Sequence, residues 1–146
     1  MQIDFDIDIN RPPSEVFAYI TDVSKLPQWQ SGIISAQWET EKGPGARAKA
    51  VRDFRGKESE TELQVTKYDP DRRFAINTSS GPIAFALEYT LQPTDGGNST
   101  HLMVYAEGEA SGMAKMAGPL MSRKIEKQLK SDFQVLKQNV EAGGAR

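Results

Sequence analysis

Few side chains in this sequence have the type and placement to do chemistry. His101 is the single histidine, Arg52 stands in "ARAKAVRDF", Tyr89 stands in "IAFALEYTLQ", and there is no cysteine. Thiolate catalysis, disulfides and Cys-ligated metals are thereby excluded. A catalytic histidine needs an orienting partner and a substrate-facing position. His101 shares a face with Met103, Tyr105 and Glu107, which reads as the solvent side of a strand. One histidine without clustered ligands gives no metal site, and no cofactor is expected.

Arg52 admits two readings. If alternation continues through "AKAVRDF", then Ala48, Ala50, Arg52 and Phe54 share a face. A cation would then enter an apolar interior, where it could bind a carboxylate or polarise a carbonyl. A β-bulge would instead turn it to solvent, and the rarity of unpaired buried charge favours that outward reading. Trp29, just past Pro27 in "SKLPQWQSGI", is either a wedge that locks a helix to the core or the lip of a pocket. Met113, Met116 and Met121 crowd "GMAKMAGPLM", residues 112–121, where flexible thioethers suit an adaptable ligand surface as well as an irregular core.

The elements that must position these residues follow from periodicity. In "IDFDIDI", Ile3, Phe5, Ile7 and Ile9 fall on one face and three aspartates on the other, a half-buried strand. Pro12 and Pro13 end it, and Pro13 suits the first turn of a helix carrying Val16, Phe17, Ile20 and Val23. Ser24 is placed to cap a second short helix that bears Trp29 and stops at Gly32. Six further strands are expected at "IISAQWE", "ARAKAVRDF", "ETELQVTKY", "RFAINTS", "IAFALEYTLQ" and "THLMVYAEGEA". The breaks between them, such as "EKGPGA", "RGKES" and "PTDGGN", are turn clusters that predict antiparallel hairpins. A sheet with one apolar face needs a cover. The stripe Met113, Ala117, Leu120, Met121, Ile125, Leu129, Phe133, Leu136 and Val140 supplies one as a long helix, bent or interrupted near Gly118 and Pro119.

Composition bounds the rest. A chain of 146 residues, 38% hydrophobic and without a second run of elements, predicts one domain spanning 1–146. Eighteen basic against 20 acidic residues leave no field that would hold nucleic acid or an anionic membrane. The opening "MQIDFDIDI" is neither a signal peptide nor a membrane span, so a cytoplasmic location without stable membrane insertion is expected.

The order of strand, two short helices, six strands and long helix resembles the helix-grip fold of the START-like (SRPBCC) superfamily, which includes polyketide cyclase/dehydrase and lipid-transport proteins. "IDINRPPSEVFAYITDVSKLPQWQSGI" is similar to the opening of that family, with strand, proline, glutamate, aromatic, aspartate and Pro-x-Trp in order. "ELQVTKYDPDRRF" resembles its strand-turn-strand centre and "SDFQVLKQNVEAG" its closing helix. The resemblance implies an α+β fold in which a curved antiparallel sheet of about seven strands grips the C-terminal helix around an apolar cavity, with Trp29 near its mouth. Candidate ligand-binding residues are then Trp29, Ala48, Ala50, Arg52, Leu63, Phe74, Phe85 and Tyr89, with Met113, Met116, Ala117, Leu120 and Met121 from the helix. The expected function is binding or transport of a small hydrophobic molecule such as a lipid, an isoprenoid or an aromatic polyketide. No acid-base pair at convincing spacing supports the alternative, a polyketide cyclase, aromatase or dehydratase. A co-chaperone-like module that uses its exposed surface is a further alternative, though no feature indicates a protein partner.

Overall fold

The computed structural model describes residues 2–54, 56–78, 83–110 and 118–143, with only the backbone for Phe54, Ile83, Glu109, Ala110 and residues 118–122. Strand β1 (Gln2–Ile9) leads to helix α1 (Pro13–Thr21), a 3-10 turn (Val23–Lys25) and the short helix α2 (Leu26–Trp29). Strands β2 (Ile33–Trp38), β3 (Arg47–Phe54), β4 (Lys57–Asp69), β5 (Arg73–Thr78), β6 (Ile83–Thr94) and β7 (Ser99–Ala110) follow, and helix α3 (Gly118–Glu141) closes the chain.

The seven strands form one antiparallel sheet in the order β1-β7-β6-β5-β4-β3-β2. Consecutive strands pair except at one step: the elbow of α1 and α2 carries the chain from β1 at one edge to β2 at the other. Bulges at Ile34 in β2 and Thr66 in β4 bend their strands and help the sheet to curve. This is the helix-grip architecture expected from the sequence.

Alternation holds through most strands. Ile3 and Ile9 are buried while Asp4, Asp6 and Asp8 face solvent; Thr61, Leu63 and Val65 are buried between exposed Glu60, Glu62 and Gln64. Ala75 is a buried residue on the other face. It lies opposite both Lys67 and Glu88, whose ion pair, with Nζ 3.1 Å from Oε1, roofs it.

Three local expectations need correction. The turn at the second helix is capped by Asp22, whose carboxylate accepts from the Ser24 amide at 3.2 Å, so Ser24 is the donor and not the cap. Strand β4 starts at Lys57, because Gly56, at a φ of 81°, turns the hairpin early and leaves the polar Lys57–Ser59 to pair with β3. Strand β6 runs through Pro93 to Thr94 since β5 pairing has ended at Thr90, and the missing amide there faces no partner strand.

Helix α3 buries Phe133, Leu136 and Val140 completely against the core. Its C-terminal end is tied down by polar contacts. Arg11 Nη2 donates to the Glu141 carbonyl at 2.8 Å, the Asn10 amide to Glu141 Oε2 at 2.8 Å, and Lys137 Nζ to the Asp8 carbonyl at 2.6 Å. Asn139 Nδ2 donates to Tyr19 Oη at 2.9 Å and so links α3 to α1. A guanidinium on the last carbonyls also complements the negative end of the helix dipole.

Candidate functional site

Among the described residues, the elbow and the inner face of β2 to β6 converge on one cavity. Helix α2 sets the Trp29 ring 5.1 Å from Phe133 of α3, edge to face. Strand β3 contributes Ala48 and Arg52, β4 Leu63 and Val65, β5 Phe74 and Ile76, and β6 Phe85, Leu87 and Tyr89. Ile20, Val23 and Leu26 close the elbow side. The cavity is small, with a volume of about 20 Å³. That is room for one or two water molecules. The unfilled volume expected from the alanines of β3 is therefore small, because the larger side chains around Ala48 close over it.

Ring packing continues away from the cavity. Phe133 also meets Phe5 at 5.3 Å and Tyr89 at 5.7 Å; Tyr89 stacks on Phe74 at 6.0 Å with planes 9° apart. Phe74 in turn meets Phe17 and Tyr68. Trp29 is thus a packing wedge and a cavity wall at once.

Arg52 faces the cavity, so the outward reading is corrected. A bulge is present, but on the neighbouring strand at Ile34, and β3 keeps its alternation with Arg52 opposite Ile33. The guanidinium lies 5.6 Å from the centre of the Phe85 ring, a cation-π arrangement. Burial draws its pKa below the ordinary value, while Tyr89 and Asp132 act in the opposite sense. A guanidinium stays charged at neutral pH all the same. Burial pushes the Tyr89 phenol far above its usual range, against the pull of Arg52, so the hydroxyl remains protonated.

Two polar residues that sequence reasoning passed over bear on this cavity. Asp132 is buried on α3, where its Oδ1 accepts from Ser31 Oγ at 2.8 Å and Gln128 Nε2 at 2.9 Å. Its spacing from Leu129 and Leu136 puts it on the apolar stripe, the signal that could have found it. The indole of Trp38 lines the cavity and donates to the Thr21 carbonyl at 3.2 Å. The indole of Trp29 differs: it is 3% exposed and its Nε1 has no hydrogen-bond partner among the described residues.

Of the residues proposed from sequence, Trp29, Ala48, Arg52, Leu63, Phe74, Phe85 and Tyr89 line the cavity. Ala50 is fully buried but is not part of the lining. Met113, Met116 and Ala117 lie outside the described residues, as do the side chains of Leu120 and Met121. His101 is on the outer face, as expected. Its Nδ1 is 2.7 Å from Asp8 Oδ1 and its Nε2 3.1 Å from Asp6 Oδ2, and these acids, Asp8 first, raise its pKa. Among the described residues no group of three or more His, Asp or Glu could hold a metal ion, and no helix is long and apolar enough to cross a membrane.

Comparison with known proteins gives a consistent family assignment. A family model described as polyketide cyclase / dehydrase and lipid transport matches residues 2–141. No curated protein sequence matches. Among solved structures, a protein from Thermus thermophilus superposes with a TM-score of 0.81 at 16% identity, covering 98% of this chain and 99% of that one. A START superfamily protein from Mycobacterium smegmatis gives 0.81 at 15% identity, with 97% of each chain covered. The Zhui aromatase/cyclase from Streptomyces sp. R1128 gives 0.77 at 15% identity, covering 97% of this chain and 93% of that one. At such identities the likeness is one of fold.

Proposed function

Since the chain belongs to the polyketide cyclase / dehydrase and lipid transport family, we propose that it binds or carries a small, largely apolar molecule in the cavity between sheet and elbow. The observation that carries this reading is the chemistry of the lining. Among the described residues it is aliphatic and aromatic apart from Gln30 and Arg52, its other polar atoms being those of Trp29, Trp38 and Tyr89, and it includes no carboxylate or imidazole. A lining of that kind orients a ligand by a few polar groups and excludes water, but offers no base near neutral pH. The closed volume means that binding must be accompanied by outward movement of lining side chains.

A neutral hydrophobic dye, N-phenyl-1-naphthylamine, should bind saturably with one-to-one stoichiometry, and Ala48→Phe should weaken that binding. Non-saturable binding, or a variant equal to the parent, would sink the reading. Native mass spectrometry of protein from its own host would then identify the retained ligand mass.

One observation favours cyclisation chemistry as a second reading. Arg52, Tyr89 and Trp29, each of which carries a donor, line one cavity, and donors of this kind can polarise a carbonyl. A proton must still be removed by some group, which the described lining does not supply. Turnover of a poly-β-ketone analogue that is lost in Tyr89→Phe would establish this reading over simple carriage. A surface-docking role draws less support, since the exposed large apolar residues among those described, Ile34 and Tyr105, are on different strands.

A further inference from the structure

Resting on the reading of the cavity as a ligand site, we propose that its ligand is an acid: an apolar body ending in one carboxylate or similar anion, held by the Arg52 guanidinium and the Trp29 indole N–H. The polar inventory of the lining is one-sided. Arg52 has only donors to offer, and so has an indole nitrogen. The Tyr89 hydroxyl, kept protonated by its burial, can add a third donor. Gln30 alone brings an amide oxygen. A neutral hydrocarbon would leave these donors buried and unmatched, and burial without a partner is the costly state for a polar group.

Charge points the same way. The carboxylate that acts on Arg52 is Asp132, yet the two form no ion pair, and Asp132 Oδ1 already accepts from Ser31 and Gln128. Among the described residues the contact drawn by the guanidinium is the Phe85 ring, which leaves its N–H edges available. A cation in a water-poor cavity is best compensated by an anion that can take a two-pronged hydrogen bond, and a carboxylate fits that fork. Trp29, whose side chain lines the same cavity, provides the second, independent observation. Its buried Nε1 has no acceptor among the described residues, whereas Trp38, also in the lining, donates to Thr21.

The test compares unbranched carboxylates of six to twelve carbons with the alcohols of the same lengths, by displacement of N-phenyl-1-naphthylamine at pH 7.5. At the best chain length the acid should displace dye at a concentration at least ten-fold lower than its alcohol. Arg52→Gln should erase that difference, and Arg52→Lys, which keeps the charge, should retain part of it. The nitrogen-proton spectrum offers a direct view, because the chain has two tryptophans. The Trp29 indole proton should move downfield with the acid and not with the alcohol, while that of Trp38 stays in place. Alcohols binding as well as acids, or a preference for acids that persists in Arg52→Gln, would overturn the anion while leaving the cavity as a ligand site. Failure of the dye and both series to bind would overturn the site reading and this inference with it.

Discussion

The inner face of the sheet is completed in two different ways. Toward β1 and β7 it is packed to saturation: Phe133, Leu136 and Val140 of α3 are fully buried, and the polar groups at the helix end are matched to Asp8, Asn10 and Arg11. Toward β3 and β6 it holds a cation without an ion pair and an indole without an acceptor among the described residues. Two pairs of like residues make the contrast specific. Arg11 has the Glu141 carbonyl and a 4.0 Å pairing with Glu15, whereas Arg52 has an aromatic ring. Trp38 donates to Thr21, whereas Trp29 Nε1 has no acceptor among the described residues. Packing and hydrogen bonding within the chain account for the first region; the second is the one that the proposed ligand would complete.

Substitutions can break that contrast. Phe133→Ala should have the largest effect, lowering stability by about 3–5 kcal/mol, because the ring is fully buried against Phe5, Trp29 and Tyr89. Denaturant unfolding would show it. A loss under about 1 kcal/mol would mean that the packed region is not the main source of stability.

Ala48→Phe comes next. A cavity of about 20 Å³ cannot absorb a benzyl group, so a cost of about 1–3 kcal/mol is expected together with the loss of dye binding. Arg52→Met should go the other way. Replacing an incompletely compensated cation by an apolar chain of similar length should leave stability unchanged or raise it by about 1 kcal/mol, while Arg11→Met lowers it by a similar amount. A clear destabilisation by Arg52→Met would show that Asp132 compensates the cation well enough without a ligand.

The smallest effect concerns pH and the outer face. The aspartates raise the pKa of His101 in the folded state. The protonated clasp therefore contributes its full stability below about pH 6.5, the unfolded value, and that contribution is lost as pH rises through the raised folded value. Asp8→Asn should flatten the dependence in thermal unfolding. Dye binding should stay level from about pH 6 to 8, because the imidazole is on the opposite face from the cavity.

How far the sequence discloses this arrangement depends on the range of the interaction concerned. The alternation of "IDFDIDI" and of "ETELQV" is local and predicts the buried faces of β1 and β4 directly. The lining residues Leu63, Phe74, Phe85 and Tyr89 were legible for the same reason. Arg52 was legible as a choice only, because the strand that bulges is fixed by pairing between β2 and β3, which neither strand's own pattern reveals. Asp132 reads as an ordinary helix acid until Ser31, 101 residues away, is brought to it. The unmatched Trp29 nitrogen is the least legible of all, since an absent partner leaves no trace in sequence.

The pairing of β1 with β7 has a consequence for the order in which the molecule is made. Asp8 and His101 are 93 residues apart, and among the described strands β1 pairs with β7 alone. On the ribosome β1 emerges long before anything exists for it to pair with, and such non-local pairing is slow to form. Pulse-labelled hydrogen exchange should accordingly find β1 amides among the last to gain protection. Through that wait Asp4, Asp6 and Asp8 give every second position a charge, which discourages an unpaired strand from joining its copies on neighbouring chains.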